Sequence, residues 1–353
     1  MPSASARQPF LIKSSSFSFL LTVIPNEWYQ CNLYHTKITN NCEILMKKVA
    51  LLSFLKKKAL PLHLDNRGSR YRGDSPSYKR HKTMNNRLVI LSDNRTNDAR
   101  LETEHGLSIY MEGPSGKFLL DTGASDLFIR NAALLDIDFS DIDYCLISHG
   151  HSDHIGGLNA FLTINSKAKV ILSAQIPGAE YVSVRRYPHS ITSHVDFDRY
   201  HDRFVFVDNN TTVGPVQVYA HIMQHHALPL GDKDLLIRTS DDSLTADAFH
   251  HELVFLVDGV LFTGCAHNGL LNILETVKQP FDVAIGGFHL LDSHLDQHYE
   301  TDMQLQAISA SLRETYSNVT FYTGHCTGDH CFDMLSDQND RLRQFHGGDT
   351  ITW

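Results

Sequence analysis

Ser148-His149-Gly150-His151-Ser152-Asp153-His154 puts four metal-capable side chains into six positions, directly after the apolar run Tyr144 to Ile147. Imidazole and carboxylate suit Zn, Fe or Mn. In a loop, His149 and His151 can turn to one ion while Asp153 and His154 turn to another. The glycines at 150, 156 and 157 permit the tight backbone path this needs. The competing reading, a polar surface loop that happens to be rich in histidine, leaves the neighbouring segments unexplained.

Those neighbours alternate cleanly. Leu88 to Leu91 reads as a strand, and Leu107 to Met111 with Lys117 to Leu120 as a hairpin around Glu112-Gly113-Pro114-Ser115-Gly116. Ser125 is an N-cap candidate for a helix carrying Leu127, Phe128, Ala132 and Leu135 at helical spacing. Tyr144 to Ile147 is a strand, Gly157 to Leu162 a helix, and Val170 to Leu172 a strand. The second half repeats the style. Phe204 to Val207, Val216 to Ala220, Leu253 to Val257, Val260 to Phe262, Val283 to Ile285 and Val319 to Tyr322 read as strands, and Leu270 to Val277 and Asp302 to Tyr316 as helices. Residues 175–202 read as irregular chain overhanging the site. This order predicts an α/β fold, a two-sheet sandwich with helices outside.

The charge is split. Residues 1–83 hold 14 Lys/Arg against 4 Asp/Glu, which leaves 17 against 36 for the rest of a chain with net charge −9. That break at Met84 predicts a basic, disordered or non-native leader over 1–83, with 66–82 as linker, and a catalytic domain over 84–353. The acidic part is a poor nucleic-acid binder, since little in it would release phosphate counterions. No apolar run reaches the length that spans a bilayer. Six cysteines in so long a chain read as reduced thiols of a cytoplasmic protein.

H-x-H-x-D-H after an apolar strand is similar to the signature of the metallo-β-lactamase superfamily. Leu119-Leu120-Asp121-Thr122-Gly123 resembles its early Asp-Thr-Gly, and Val260-Leu261-Phe262-Thr263-Gly264 its strand before a bridging carboxylate. Here Cys265 stands where most of the superfamily has Asp. Gly264-Cys265-Ala266-His267-Asn268-Gly269 resembles a particular branch, the enzymes like 7,8-dihydropterin-6-methyl-4-(β-D-ribofuranosyl)-aminobenzene-5'-phosphate synthase. Asp93-Asn94-Arg95, Glu104-His105-Gly106, Gly286-Gly287-Phe288-His289-Leu290 and Gly324-His325-Cys326-Thr327-Gly328 point the same way. The resemblance spans residues of about 86–353 and implies a four-layer αβ/βα sandwich.

It also implies one or two divalent metal ions, zinc first with Mn, Fe or Mg as others, on His149, His151, Asp153, His154, His267 and His325. His267 and His325 each follow an apolar strand ending in Thr-Gly. Such strand ends converge at a sheet edge, where sites form. Cys265 reads as a buried core thiol, with a soft metal ligand as the alternative, and His225, His226, His250 and His251 read as loop histidines or supports rather than ligands. Asp121 is expected to support a ligand histidine from behind. An aspartic-protease loop would need a second Asp-Thr-Gly or Asp-Ser-Gly, which the chain lacks. Asp153, as ligand and orienter of the nucleophile, and His289, facing the substrate or acting as an acid, are the candidate catalytic residues. Glu104, His105, Arg185 and Arg186 are candidates for the substrate. The expected activity is that of a metal-dependent hydrolase or a pterin-condensing synthase on a small, phosphorylated or pterin-like molecule. The alternative is a metal-binding or redox-sensing module without hydrolytic activity. The sequence leaves the oligomeric state open.

Overall fold

A computed structural model of the protein describes residues 86–353, together with the backbone of 10–14, 17–22 and 30–31. The chain divides into two units, 1–79 and 80–353. In the first, strands Phe10–Ser14, Phe17–Thr22 and Gln30–Cys31 form an antiparallel sheet. The reading of 66–82 as linker, and the break at Met84, lie outside the described residues.

The second unit is built on two seven-stranded sheets. The first runs Phe204–Val207, Lys169–Ser173, Tyr144–Leu146, Gly116–Leu120, Ser108–Gly113, Arg87–Ser92 and Thr350–Thr352 in spatial order. The second runs Thr211–Val213, Val216–Tyr219, Val254–Val257, Val260–Phe262, Val283–Gly286, Thr320–Thr323 and Leu342–Gln344. Alternation decides which face each side chain takes. Leu88, Ile90, Ile109, Met111 and Phe118 point inward and meet Val218, Phe255, Val257, Phe262 and Ile285 of the opposite sheet. Val89, Leu91, Leu119, Cys145 and Val170 point outward and pack under the helices Leu127–Leu134 and Leu158–Ile164. Leu256, Leu261, Ala284 and Phe321 do the same under Leu270–Thr276, Asp302–Thr315 and Asp329–Ser336. These strands are buried on both faces, so they read as unbroken apolar runs rather than alternating ones. The result is the expected four-layer αβ/βα sandwich.

Both halves contain a parallel staircase. Gly116–Leu120, Tyr144–Leu146, Lys169–Ser173 and Phe204–Val207 pair in parallel. So do Val260–Phe262, Val283–Gly286, Thr320–Thr323 and Leu342–Gln344. Parallel strands joined by crossover helices deliver their carboxyl ends to one edge. Asp121, His149, Cys265, His289 and His325 all follow such ends within a few residues.

Several details differ from the sequence reading. Residues 175–202 are not wholly irregular. Tyr181–Ser183 and His189–Ser190 form a four-stranded sheet with Leu235–Arg238 and Leu244–Ala246. At two to four residues each, these strands are too short for a period of two to register. Ser125 lies one residue before the N-cap, which is Asp126, although its hydroxyl still accepts from the Leu127 N–H.

Candidate metal centre

His149, His151 and His267 converge in the interior, with one ligand atom from each lying within 4.8 Å of the others. All three rings are buried. Burial and the neighbouring imidazoles hold His149 and His267 well below the usual histidine value. Burial also brings His151 down to about 4. The three rings are therefore neutral at pH 7, each with a free lone pair. His267 Nδ1 sits 2.7 Å from Asp232 Oδ1, and His149 Nδ1 2.8 Å from the Ser148 hydroxyl. In the tautomer this network assigns, the hydrogens lie on Nδ1 and the lone pairs on Nε2. The Nε2 atoms of His149, His151 and His267 are all buried without a partner. Unpartnered buried polar atoms are costly and uncommon, and three converging on one point fit a cation of the zinc type.

A second set lies beside the first. Asp153 Oδ2 is 3.2 Å from His325 Nε2 and 3.8 Å from His154 Nε2, and the two histidine nitrogens are 3.1 Å apart. Burial works against the Asp153 charge, but His154, His325 and His105 outweigh it and hold the carboxyl well below its ordinary range. Burial likewise opposes a charge on His325, yet Asp153 with Cys326 raises it to about 9. His105 stacks on His325 at 4.9 Å and brings Nε2 to 3.3 Å from Asp153 Oδ2.

Behind the rings stand groups that orient them. Asp121 accepts from the Ser148 N–H at 2.7 Å and the Ser148 hydroxyl at 2.6 Å, and holds His154 Nδ1 at 2.6 Å. His325 is held by its N–H on Asp93 and by Nδ1 against Asn94. Asp121, Ala266, His289 and His325 all have positive φ, between 49° and 56°. Such backbone is uncommon for non-glycine residues, and these four lie where the chain turns just past the strand ends.

Asp232, Asp247 and Glu252 escaped the sequence reading, which had named His225, His226 and His251. Asp232 comes from the 3-10 turn Leu230–Asp234, and nothing local flags it. Burial, with Glu252 and Cys326 nearby, pushes its carboxyl up to about 10. Glu252 accepts from the N–H groups of His267 and Asn268, fixing that turn. His251 Nδ1 accepts from the Gly150 N–H and its Nε2 meets Asp247 at 3.0 Å, a supporting place. His225 and His226 lie exposed against Glu275.

Two expectations need correction. Cys265 is buried but does not sit among aliphatic side chains. Its sulfur is 3.1 Å from His154 Nε2 and 3.2 Å from the sulfur of Cys326, which the sequence reading passed over. A residue just past a strand end faces the site edge rather than the core. Glu104 does not face the substrate cavity. Its carboxylate accepts from Ser92 Oγ, Ala124 N, Ser125 N and Ser125 Oγ, and so holds the loop after Asp121.

The centre opens into a cavity of about 640 Å³ whose wall includes His105, Arg185, Arg186, His267 and His289. Arg185 Nη2 donates to His289 Nε2 at 3.2 Å, and its Nε has no partner. Because guanidinium only donates, the His289 hydrogen belongs on Nδ1, which is buried and unpartnered. The His289 ring lies 4.3 Å from that of His267. Arg186 is exposed at the rim.

Fold and site together define an αβ/βα sandwich with a clustered imidazole and carboxylate centre at its strand-end edge. Residues 102–223 match the family model described as the metallo-beta-lactamase superfamily. A crystal structure of a metal-dependent hydrolase of the beta-lactamase superfamily aligns over 75% of this chain and 98% of its own, with 28% identity and a TM-score of 0.61. An uncharacterized protein of Methanocaldococcus jannaschii is 23% identical over 72% of this chain and 95% of its own. The 7,8-dihydropterin-6-methyl-4-(beta-D-ribofuranosyl)-aminobenzene-5'-phosphate synthase of the same organism is a distant homologue, 22% identical over 70% of this chain and 90% of its own. Among the described residues, no helix is long and apolar enough to cross a membrane.

Proposed function

We propose that the protein is a metal-dependent hydrolase acting on a small phosphorylated molecule, held in the cavity above two adjacent cation positions. The observation that carries this reading is the trio of buried, unpartnered Nε2 atoms on His149, His151 and His267. These three would hold one divalent cation, and Asp153, His154 and His325 a second. Such a cation, when bound, acidifies water toward a pKa of roughly 7 and polarises a substrate oxygen. The chain's own groups do the rest. Asp153, at the mouth of the second set, orients the attacking water. His289 offers its Nδ1 hydrogen to the leaving oxygen, and Arg185 fixes that tautomer from the other side of the ring. Arg185 Nε, with Arg186 at the rim, gives an anionic substrate group a planar donor and nearby positive charge.

The similarity to the pterin-ribosyl-aminobenzene phosphate synthase supports a pterin-like substrate as the finer form of this reading, with condensation in place of hydrolysis. Four free thiols among the described residues accord with a reducing, cytoplasmic setting.

The test has two parts. Elemental analysis of reconstituted protein should give about two divalent ions per chain from the two ligand sets, and His149→Ala and His154→Ala should each lose part of this. A screen of phosphomonoesters, phosphodiesters, lactones, thioesters and reduced pterins should then show turnover that a chelator abolishes. Unchanged metal in both variants removes the proposed centre. Full metal with no turnover on any class favours the binding or sensing module instead.

A further inference from the structure

A second cavity, of about 210 Å³, shares no lining residue with the one above the metal centre. Leu230, Leu270, Phe288, Leu290 and Ile308 make its wall largely apolar, and Glu300 brings a carboxylate to it. Glu300 Oε1 accepts from the Leu230 N–H at 2.6 Å, while Oε2 is buried and has no partner. A carboxylate oxygen left unpaired beside an apolar space costs free energy that a bound donor would recover.

The chain passes alternately between the two cavities. Phe288 and Leu290 line the second, His289 and Leu291 the first. Leu230 also lines the second, and two residues on, Asp232 holds His267 Nδ1 at 2.7 Å and stands 3.5 Å from His289 Nε2. The Glu300 hydrogen bond closes on the first residue of that turn, Leu230–Asp234. Between the two, Gly231 is packed so closely that an added Cβ would lie 2.5 Å from Leu291 Cδ1 and 3.3 Å from His289 Cδ2. Such close packing transmits displacement rather than absorbing it. A molecule in the second cavity therefore bears on the backbone that positions Asp232 and His289.

We infer that the second cavity is a binding site for a small organic ammonium ion with an apolar body, and that its occupation is passed through the turn Leu230–Asp234 to Asp232 and His289. Charge and shape together name the class. An ammonium group donates to Glu300 Oε2 in a charge-assisted hydrogen bond, and its hydrocarbon part is removed from water against the leucines, Phe288 and Ile308. A neutral hydrocarbon would leave Oε2 unpaired, and an anion would meet a carboxylate. At about 30 Å³ per water the volume corresponds to about seven waters, which suits an ion of about seven non-hydrogen atoms. The inference needs nothing from the metal reading.

The test titrates the full chain at neutral pH with hexylammonium, which is of that size, and with its neutral and anionic counterparts hexan-1-ol and hexanoate. Calorimetry should give hexylammonium a dissociation constant of about 1 mM or below, and hexan-1-ol at least about tenfold weaker binding. Glu300→Gln keeps an acceptor for the Leu230 N–H but sets an NH2 where Oε2 stood. It should weaken hexylammonium by about tenfold or more and leave hexan-1-ol within about twofold. Ala307, exposed on the helix Asp302–Thr315, also lines the cavity, so Ala307→Phe should fill it and abolish binding without disturbing the core. Amide hydrogen exchange over 229–234 and 286–291 should slow with hexylammonium in wild type and not in Ala307→Phe. Equal affinity for hexylammonium and hexan-1-ol overturns the choice of an ammonium ion. Wild-type affinity in Ala307→Phe, or no binding at about 10 mM, overturns the site itself. Binding with unchanged exchange in both segments overturns its link to Asp232 and His289.

Discussion

Asp121→Asn tests the centre with almost no change in shape. A carboxylate only accepts hydrogen bonds. At 2.6 Å from His154 Nδ1, Asp121 therefore requires the hydrogen on Nδ1 and leaves the Nε2 lone pair for a cation. The amide changes this. If its oxygen keeps the Ser148 N–H, now 2.7 Å from Oδ1, its NH2 end faces both His154 Nδ1 and the Ser148 hydroxyl. An NH2 donates, so His154 is driven to the tautomer with hydrogen on Nε2, and the ligand lone pair is lost. Exchanging a charge-assisted hydrogen bond for a neutral one costs about 1–2 kcal/mol. Loss of such a supporting group typically lowers metal affinity by about 10–100-fold, or roughly 1.4–2.7 kcal/mol. The loss should be larger at the second cation, and it reaches the His149, His151 and His267 set only through the Ser148 hydroxyl, 2.8 Å from His149 Nδ1. Competition against a chromophoric chelator measures both equivalents, and a denaturant midpoint reports stability separately. Two equivalents of unchanged affinity, with only a lower midpoint, would refute the tautomer argument and reduce Asp121 to a structural role.

Glu104→Ala should act on stability rather than on substrate binding. It strips the acceptor from Ala124 N, Ser125 N and Ser125 Oγ, so a loss of about 1–2 kcal/mol in unfolding free energy is expected with KM unchanged, and a raised KM at constant stability would contradict this. Gly264→Ala places a Cβ 2.5 Å from Ser148 Cβ at a φ of 59°. Strain and displacement of Ser148 should together cost about 2–4 kcal/mol in a denaturant titration, and a neutral result would mean that the turn relaxes freely. A chain beginning at Met84 is expected to fold and to bind metal as the full chain does, and loss of metal on that truncation would make the preceding residues part of the domain.

The long apolar strands and the histidine cluster were legible because each announces itself locally. Leu88 to Leu91 and Val254 to Val257 are buried on both faces, and a run of aliphatic residues needs no partner to be read. The Asp121, His149, His267 and His325 motifs each sit at a strand end, so their convergence follows once the sheets are assumed parallel. Asp232 was illegible for the opposite reason. It reaches His267 from a five-residue turn 35 positions away in sequence, and its neighbours carry no pattern. Glu104 misled because an acidic residue beside His105 resembles a pocket residue, and only the partners of its carboxylate show otherwise. The strands Tyr181–Ser183 and His189–Ser190 are too short to carry a period.

The exchange of a carboxylate for Cys265 is best understood together with His267. A residue directly after Gly264 lies close to His154, as the 3.1 Å separation from Cys265 shows. One residue further on, Ala266 with a φ of 56° turns the chain again and sends His267 to the other side, against His149 and His151. One five-residue segment thus serves both ligand sets, and Glu252 binds it at the N–H groups of His267 and Asn268. Moving either side chain therefore moves the other. On this geometry the two positions cannot be tuned independently from this loop. Their difference must come from the donors around each, a carboxylate with two imidazoles on one side and three imidazoles on the other.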